Sequence, residues 1–146
     1  MDAEKEIYSL FSNVASELGY SEVHGRLIAA LLVEGKPLSM DELKERIGYS
    51  ASSISLSLDF LEMLDVIRRI KKPSDKKLYI ELQGDLLDCL RKAILFKAER
   101  NIDATLKEFE KYKNGDTKNI VKVLEKEIRR LKRYINLLSK VKLPKY

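Results

Sequence analysis

Four consecutive residues, Ser39-Met40-Asp41-Glu42, constrain this chain more than any others. They form a capping box. The Ser39 hydroxyl accepts from the backbone N–H of Glu42, and the Glu42 carboxylate reaches back to the N–H of Ser39. A helix must begin there, and Leu43 and Ile47 repeat at helical spacing behind it. Gly48 ends that helix, because glycine enters the left-handed conformation without steric cost. Tyr49 is left as the turn, and Ser50 caps a second helix.

The second helix spans 50–64. Ile54, Leu58, Leu61 and Leu64 form its buried stripe. At about 100° per residue the opposite face carries Ser52, Leu56, Asp59 and Met63, with Ser55 and Phe60 beside them. That outward face holds no lysine or arginine. Asp65 stands where the helix must stop, and aspartate tolerates the left-handed conformation better than most residues. Residues 66–71 are β-branched and read as a strand. Lys72-Pro73-Ser74-Asp75-Lys76 is turn chemistry. Residues 77–82 return as a second strand, with Leu78, Ile80 and Leu82 alternating against Tyr79 and Glu81. A hairpin this short is marginal alone, so it must pack on the helices. Its tip gathers Lys71, Lys72, Lys76 and Lys77, a basic prong suited to phosphates.

Two short helices, a tight turn and a two-stranded ribbon are the outline of a winged helix-turn-helix. With the stretches Gly19-Tyr20-Ser21-Glu22, Gly25-Arg26, Pro37-Leu38-Ser39-Met40-Asp41-Glu42-Leu43, the helix over 50–64 and Ile67-Arg68, residues 7–82 resemble the GbsR-like branch of the MarR superfamily of transcription regulators. The resemblance implies a mainly α fold with a small β-hairpin wing and long C-terminal dimerisation helices. It also implies a homodimer that places one such helix per subunit in the major groove of double-stranded DNA, with the wings along the backbone or minor groove. A small-molecule effector is a further partner that the family analogy allows. The chain departs from the pattern at Ala51-Ser52-Ser53, where family members commonly carry Lys-Gly-Asn or Lys-Gly-Ser. It departs again at Asp59 and Phe60, where they often carry basic residues.

The remainder of the chain is helical by pattern. Residues 2–18 carry Ile7, Leu10, Phe11, Val14 and Leu18 on one side, and Gly19 is the stop. Ser21 caps the next helix, whose core face is Val23, Leu27, Ile28, Leu31 and Leu32. Gly25 inside that helix costs about 1 kcal/mol relative to alanine. The reason expected is close approach of another backbone. Gly84-Asp85 opens a long amphipathic helix that runs to about residue 113, about 45 Å of helix. That is more than a small winged domain can cover, so it projects. Asn114-Gly115-Asp116 breaks it, with Asp116 as the next cap. The last helix, about 117–141, spaces Val121, Leu124, Ile128, Leu131, Ile135 and Leu138 by threes and fours, an a/d seam. An antiparallel hairpin with the preceding helix, docked on a second subunit, fits this seam. The expected division is therefore 1–83, a winged DNA-binding domain whose N-terminal helix contributes to the dimer, and 84–146, a helical-hairpin dimerisation region.

Charge is polarised along the chain. Residues 1–64 hold 5 Lys and Arg against 11 Asp and Glu, whereas residues 107–146 hold 13 against 5. The net +5 matters less than which face carries it. Nothing resembles an 18-residue apolar span or a signal peptide, so a cytoplasmic protein without a membrane partner is expected. Cys89 and His24 are the sole residues of their types. A lone cysteine forms no intrachain disulfide, and a lone histidine serves neither a metal cluster nor a Ser-His-Asp set. With no glycine-rich phosphate loop either, no cofactor, metal or enzymatic activity is expected.

Two functions follow for the stretch 39–82. In the first, a dimeric regulator reads a palindromic duplex site. Ser39, Ser50, Ser52, Ser53 and Ser55 hydrogen-bond phosphates or bases, and Ala51 and Leu56 touch thymine methyls. Arg68, Arg69, Lys71, Lys72, Lys76 and Lys77 supply the salt-dependent attraction. In the second, the acidic and apolar outward face of the 50–64 helix docks on protein, and sequence-specific DNA binding has been lost.

Overall fold

The computed structural model describes residues 2–146. In order, the elements are α1 (Ala3–Glu17), α2 (Glu22–Glu34), β1 (Leu38–Ser39), α3 (Met40–Ile47), α4 (Ala51–Met63), β2 (Ile67–Lys71), β3 (Leu78–Leu82), α5 (Leu86–Phe109), a 3₁₀ turn (Glu110–Tyr112) and α6 (Lys118–Lys140). Two compact units divide between Cys89 and Leu90.

In the first unit the helix ends follow side-chain chemistry. Asp2, Ser21, Ser39 and Ser50 each accept a backbone N–H as N-cap. Each such bond satisfies one of the donors a helix start leaves open, and losing it costs about 1 kcal/mol. Gly35 and Gly48 close α2 and α3 at φ 63° and 72°. Asp65 adopts φ 58° after α4, so the aspartate stop is real. At Ser39 the hydroxyl accepts the Glu42 N–H at 3.2 Å and faces Glu42 Oε1 at 3.3 Å. The returning carboxylate thus meets the serine hydroxyl, where the sequence pattern predicts the backbone N–H.

The sheet has three antiparallel strands in the order β1-β3-β2. β2 and β3 form the expected ribbon, pairing Ile67 with Leu82 through Lys71 with Leu78. The third strand corrects the two-stranded expectation. Leu38 and Ser39 pair with Ile80 and Tyr79 across the other edge of β3. This edge anchors the ribbon directly ahead of α3. A two-residue strand is too short to show alternation, so pattern reading misses it.

The core of this unit is one cluster: Leu27 and Leu31 from α2, Leu38, Leu43, Ile54, Leu58 and Leu61 from β1 and the two following helices, and Val66, Ile67 and Ile80 from the ribbon. Of the stripe predicted for α4, Ile54, Leu58 and Leu61 are buried, and Leu64, the C-cap, is partly buried. α1 lies on α2 at Gly25, where an added Cβ would stand 2.2 Å from the Phe11 carbonyl oxygen. The backbone approach expected from Gly25 is therefore present. Cys89 is buried at the end of this cluster with its Sγ 4.0 Å from the Gln83 carbonyl oxygen.

The second unit is an antiparallel pair of helices. Arg91 donates to the Val141 carbonyl, Lys132 pairs with Asp103 at 2.7 Å, and Lys113 lies 3.8 Å from Glu125. These pairings run in opposite directions along the two helices. Val121, Ile135 and Ile102 are buried, whereas Leu124 and Leu131 of the predicted seam are 45% and 44% exposed. The seam is thus split. One edge of it faces α5, and the other edge continues into exposed Ile120, Val123 and Tyr134. α5 is shorter than expected, 24 residues before the 3₁₀ turn, which is about 36 Å. The N-cap of α6 is Thr117, without a side-chain cap bond, and not Asp116.

Candidate nucleic-acid interface

Ser50 caps α4 by accepting the Ser53 N–H at 3.2 Å. Its hydroxyl also lies 3.2 Å from that of Ser52 and 3.0 Å from that of Ser53. Three hydroxyls therefore gather at the positive end of the helix dipole, where anions are favoured. Ala51 and Ser52 are exposed, and Ser53 and Ser55 are half-buried. Leu56 follows on the same open face at 72% exposure, and Met63 lies two turns further on at 58%. Ser39 stands apart from this group. It is buried, and its hydroxyl is taken up by the α3 cap.

The acidic residues of α4 have a partner that the helix itself lacks. Arg69 extends from β2 and donates to Asp59 at 2.8 Å and to Glu62 at 3.0 Å. One guanidinium thus holds two carboxylates, three residues apart on one helical face. The local charge falls from −2 to −1 without a cation on α4. Arg69 is half-buried in doing so. Arg68, pointing to the other side of the strand, forms an ion pair with its cross-strand neighbour Glu81. Both arginines are therefore engaged within the protein, Arg68 with most of its side chain still exposed and Arg69 half-buried.

The lysines differ. Lys71, Lys72, Lys76 and Lys77 flank the tip of the ribbon and are exposed. None of them makes an ion pair among the described residues. The tip that carries them is internally braced. Asp75 accepts the Lys77 N–H at 3.0 Å and the Tyr79 hydroxyl at 2.8 Å. These two bonds hold the Asp75 carboxyl below its usual pKa, the backbone bond more than the phenol. Lys72 Nζ lies 4.1 Å above the Tyr79 ring, a cation–π contact. The prong is thus a shaped turn, with Lys72 held over the Tyr79 ring and Lys71, Lys76 and Lys77 exposed beside it.

His24 lies behind α4. Its Nδ1 hydrogen-bonds to the buried Ser57 hydroxyl, its ring stacks on Phe60 at 4.9 Å, and Tyr20 closes the group edge-on at 6.1 Å. Burial lowers the His24 pKa. Sequence reasoning gives neither His24 nor Phe60 a partner. The two are far apart in the chain, and only the docking of α2 on α4 joins them. The Arg69 clamp is hidden for the same reason, because strand and helix periodicities do not reveal which residues meet across elements.

Among the described residues no group of three metal-ligating side chains occurs. Among the described residues no helix is long and apolar enough to cross a membrane. No family model matches the chain, and no curated protein matches it. The fold does have a solved likeness, a structure described as "Crystal Structure of a transcriptional regulator". It superposes with a TM-score of 0.68 at 16% identity, over 95% of this chain and 97% of that one. The winged helical architecture is therefore shared over almost the whole length of both chains.

Proposed function

We propose that this protein is a DNA-binding transcriptional regulator of the GbsR-like, MarR-type kind. It acts as a homodimer that reads a palindromic duplex site with α4 and the β2–β3 wing. The observation that carries the reading is the presence of two surfaces on one unit. One is a serine-rich, capped helix start with an open face. The other is a braced turn with four lysines that make no ion pair among the described residues. The shared fold with a structure described as a transcriptional regulator supports it. In this reading residues 1–83 bind DNA and residues 84–146 dimerise.

The roles divide by chemistry. Lys71, Lys72, Lys76 and Lys77 neutralise phosphates and supply the salt-dependent part of the affinity. Ser50, Ser52, Ser53 and Ser55 hydrogen-bond phosphates or base edges, and Ala51 and Leu56 lie against thymine methyls. Arg69 acts indirectly. By holding Asp59 and Glu62 it lowers the repulsion that two free carboxylates would exert on a phosphate backbone. Arg68 has the same limited part, being tied to Glu81. Ser39 shapes the α3 start instead of touching DNA.

The apolar edge of α6 supports the dimer. Ile120, Val123, Leu124, Leu131 and Tyr134 are exposed in the single chain. A stripe of that length at helical spacing is what an isologous two-fold interface covers. Two-fold symmetry would then set the two α4 helices about one DNA turn apart, about 34 Å.

The test is Lys76→Ala combined with Lys77→Ala, measured against Ser53→Ala. The double variant should weaken binding to every duplex. It should also lower the slope of log K against log salt by about 0.9 for each phosphate no longer neutralised. Ser53→Ala should alter base preference with the slope intact. An unchanged slope in the double variant would remove the wing from the interface. The exposure of Leu56 and Met63 favours one second reading, a protein-docking module without base readout. Unaltered base preference in Leu56→Ser, together with failure to bind a protein partner that the native chain holds, would favour that reading.

A further inference from the structure

Six cations of α6 fall on one side of it. The helix carries eight Lys and Arg against two Glu. At about 100° per residue, Lys118, Lys122, Lys126, Arg129, Arg133 and Lys140 share a sector about 80° wide. Asn136 is the only other residue of α6 in that sector, which holds no carboxylate and no apolar side chain. All six cations are exposed, and from Lys118 to Lys140 the row runs about 33 Å. Few anions reach it. Arg129 takes Glu125 at 2.8 Å, a carboxylate that Lys113 also approaches at 3.8 Å. Glu127 pairs with Arg130 at 3.5 Å and Asp103 of α5 with Lys132 at 2.7 Å, and those two cations lie outside the sector. Lys118, Lys122, Lys126, Arg133 and Lys140 make no ion pair among the described residues.

A merely solvated helix face mixes its charges, as α5 does with five Lys and Arg against four Asp and Glu. The α6 row does not. Lys118 and Lys122, Lys122 and Lys126, and Arg129 and Arg133 are like charges four residues apart, a spacing that destabilises a helix. The first turn of α6 has no acidic residue, and Lys118 stands at the end where the dipole disfavours cations. A polyanion would relieve both repulsions. Neither apolar side of the helix covers the row. It lies about 120° round the helix from buried Val121 and Ile135, and about 130° on the other side from exposed Ile120, Val123 and Tyr134. A second copy docked on that exposed edge leaves the row open.

We propose that the α6 row binds the phosphate backbone of duplex DNA without reading its sequence. A duplex offers a phosphate about every 3.4 Å along each strand, dense enough for cations that recur about every 6 Å. A protein partner is disfavoured, since the sector holds no aromatic or apolar anchor and lysine is depleted from protein interfaces. A lipid surface is disfavoured too, because it would take the apolar side of α6, where Val121 and Ile135 are already buried. The row is a DNA surface separate from α4 and the wing, and it needs no base readout.

The experiment titrates the full chain with a random-sequence duplex, followed by fluorescence anisotropy over a series of salt concentrations. One variant neutralises the row with Lys118→Gln, Lys122→Gln, Lys126→Gln and Arg133→Gln. Glutamine suits a helix, and these changes break no ion pair, so the variant keeps its fold. A second variant keeps the charge with Lys118→Arg, Lys122→Arg, Lys126→Arg and Arg133→Lys. The neutral variant should bind at least about tenfold more weakly at low salt. Its slope of log K against log salt should fall by about 0.9 for each phosphate released. The charge-keeping variant should match the native chain. Added to Lys76→Ala with Lys77→Ala, the neutral changes should lower the slope further, which separates this surface from the wing. A duplex library that yields no enriched sequence would remove base readout by α4 and leave this result standing. An unchanged slope in the neutral variant, or an equal loss in the charge-keeping one, would overturn the proposal. So would tighter binding of poly-L-glutamate or phosphatidylserine vesicles than of the duplex, lost in the neutral variant, which would assign the row to protein or to lipid.

Discussion

Gly25 is the residue where one carbon atom decides whether two helices can meet. A methyl group there would stand 2.2 Å from the Phe11 carbonyl oxygen and 2.9 Å from the Ser12 nitrogen, both backbone atoms that cannot rotate away. Gly25→Ala should therefore destabilise the protein by about 2–4 kcal/mol, by forcing α1 off α2, despite alanine's better helix propensity. Urea denaturation measures it. His24 gives a prediction in pH. Burial lowers its folded pKa below the ordinary 6.5, so the unfolded chain takes up a proton before the folded one does. Stability is therefore full above about pH 6.5 and falls as pH drops below that value toward the lowered folded pKa. His24→Gln should flatten this decline between about pH 7 and pH 5. An unaltered pH profile in the variant would mean that other groups set it. Gly25 could be read from the sequence because a glycine inside a strong helix pattern needs a reason. The His24–Ser57 bond could not, since nothing local to either residue names the other.

At the scale of elements, the legible parts are those written in local chemistry. Serine caps at positions 21, 39 and 50 and glycine stops at 35 and 48 bound α2, α3 and α4 as predicted, because caps act within four residues. What escapes the sequence depends on distant partners. β1 exists because β3 offers it an edge, and its two residues carry no pattern of their own. Asp116 is a better cap residue than Thr117 by preference, yet α6 starts after Thr117. The candidate site divides in the same way. The exposed face of α4 and the lysine prong follow from periodicity, whereas the Arg69 clamp depends on how β2 lies against α4. That clamp yields a prediction. Arg69→Ala should weaken DNA binding although Arg69 is engaged within the protein, because Asp59 and Glu62 are then uncompensated. Asp59→Asn in the same chain should restore part of the affinity. Electrophoretic titration of one duplex with the two variants measures it, and an Arg69→Ala variant that binds as tightly as the native chain would dispose of the indirect role.

On the scale of the whole molecule, reading a palindrome as proposed needs two copies of the chain. The split seam of α6 is the reason. Val121 and Ile135 are covered within the hairpin, and Leu124 and Leu131 are not. Leu131→Asp should leave the helical content intact and shift the protein toward monomer in sedimentation. It should also lower DNA affinity although Leu131 lies outside the proposed DNA-reading surface, since two half-sites would no longer be read together. A monomeric native chain would contradict the seam's proposed use. Whether this fold reads duplex sequence is decided by selecting binding sites from a random-sequence duplex library with the native protein. Salt of about 0.15 M limits backbone attraction to short range. Recovery of a palindrome with half-site centres about ten base pairs apart is expected. Recovery of DNA with no enriched sequence would contradict it, and would mean that the exposed face of α4 serves some partner other than base edges.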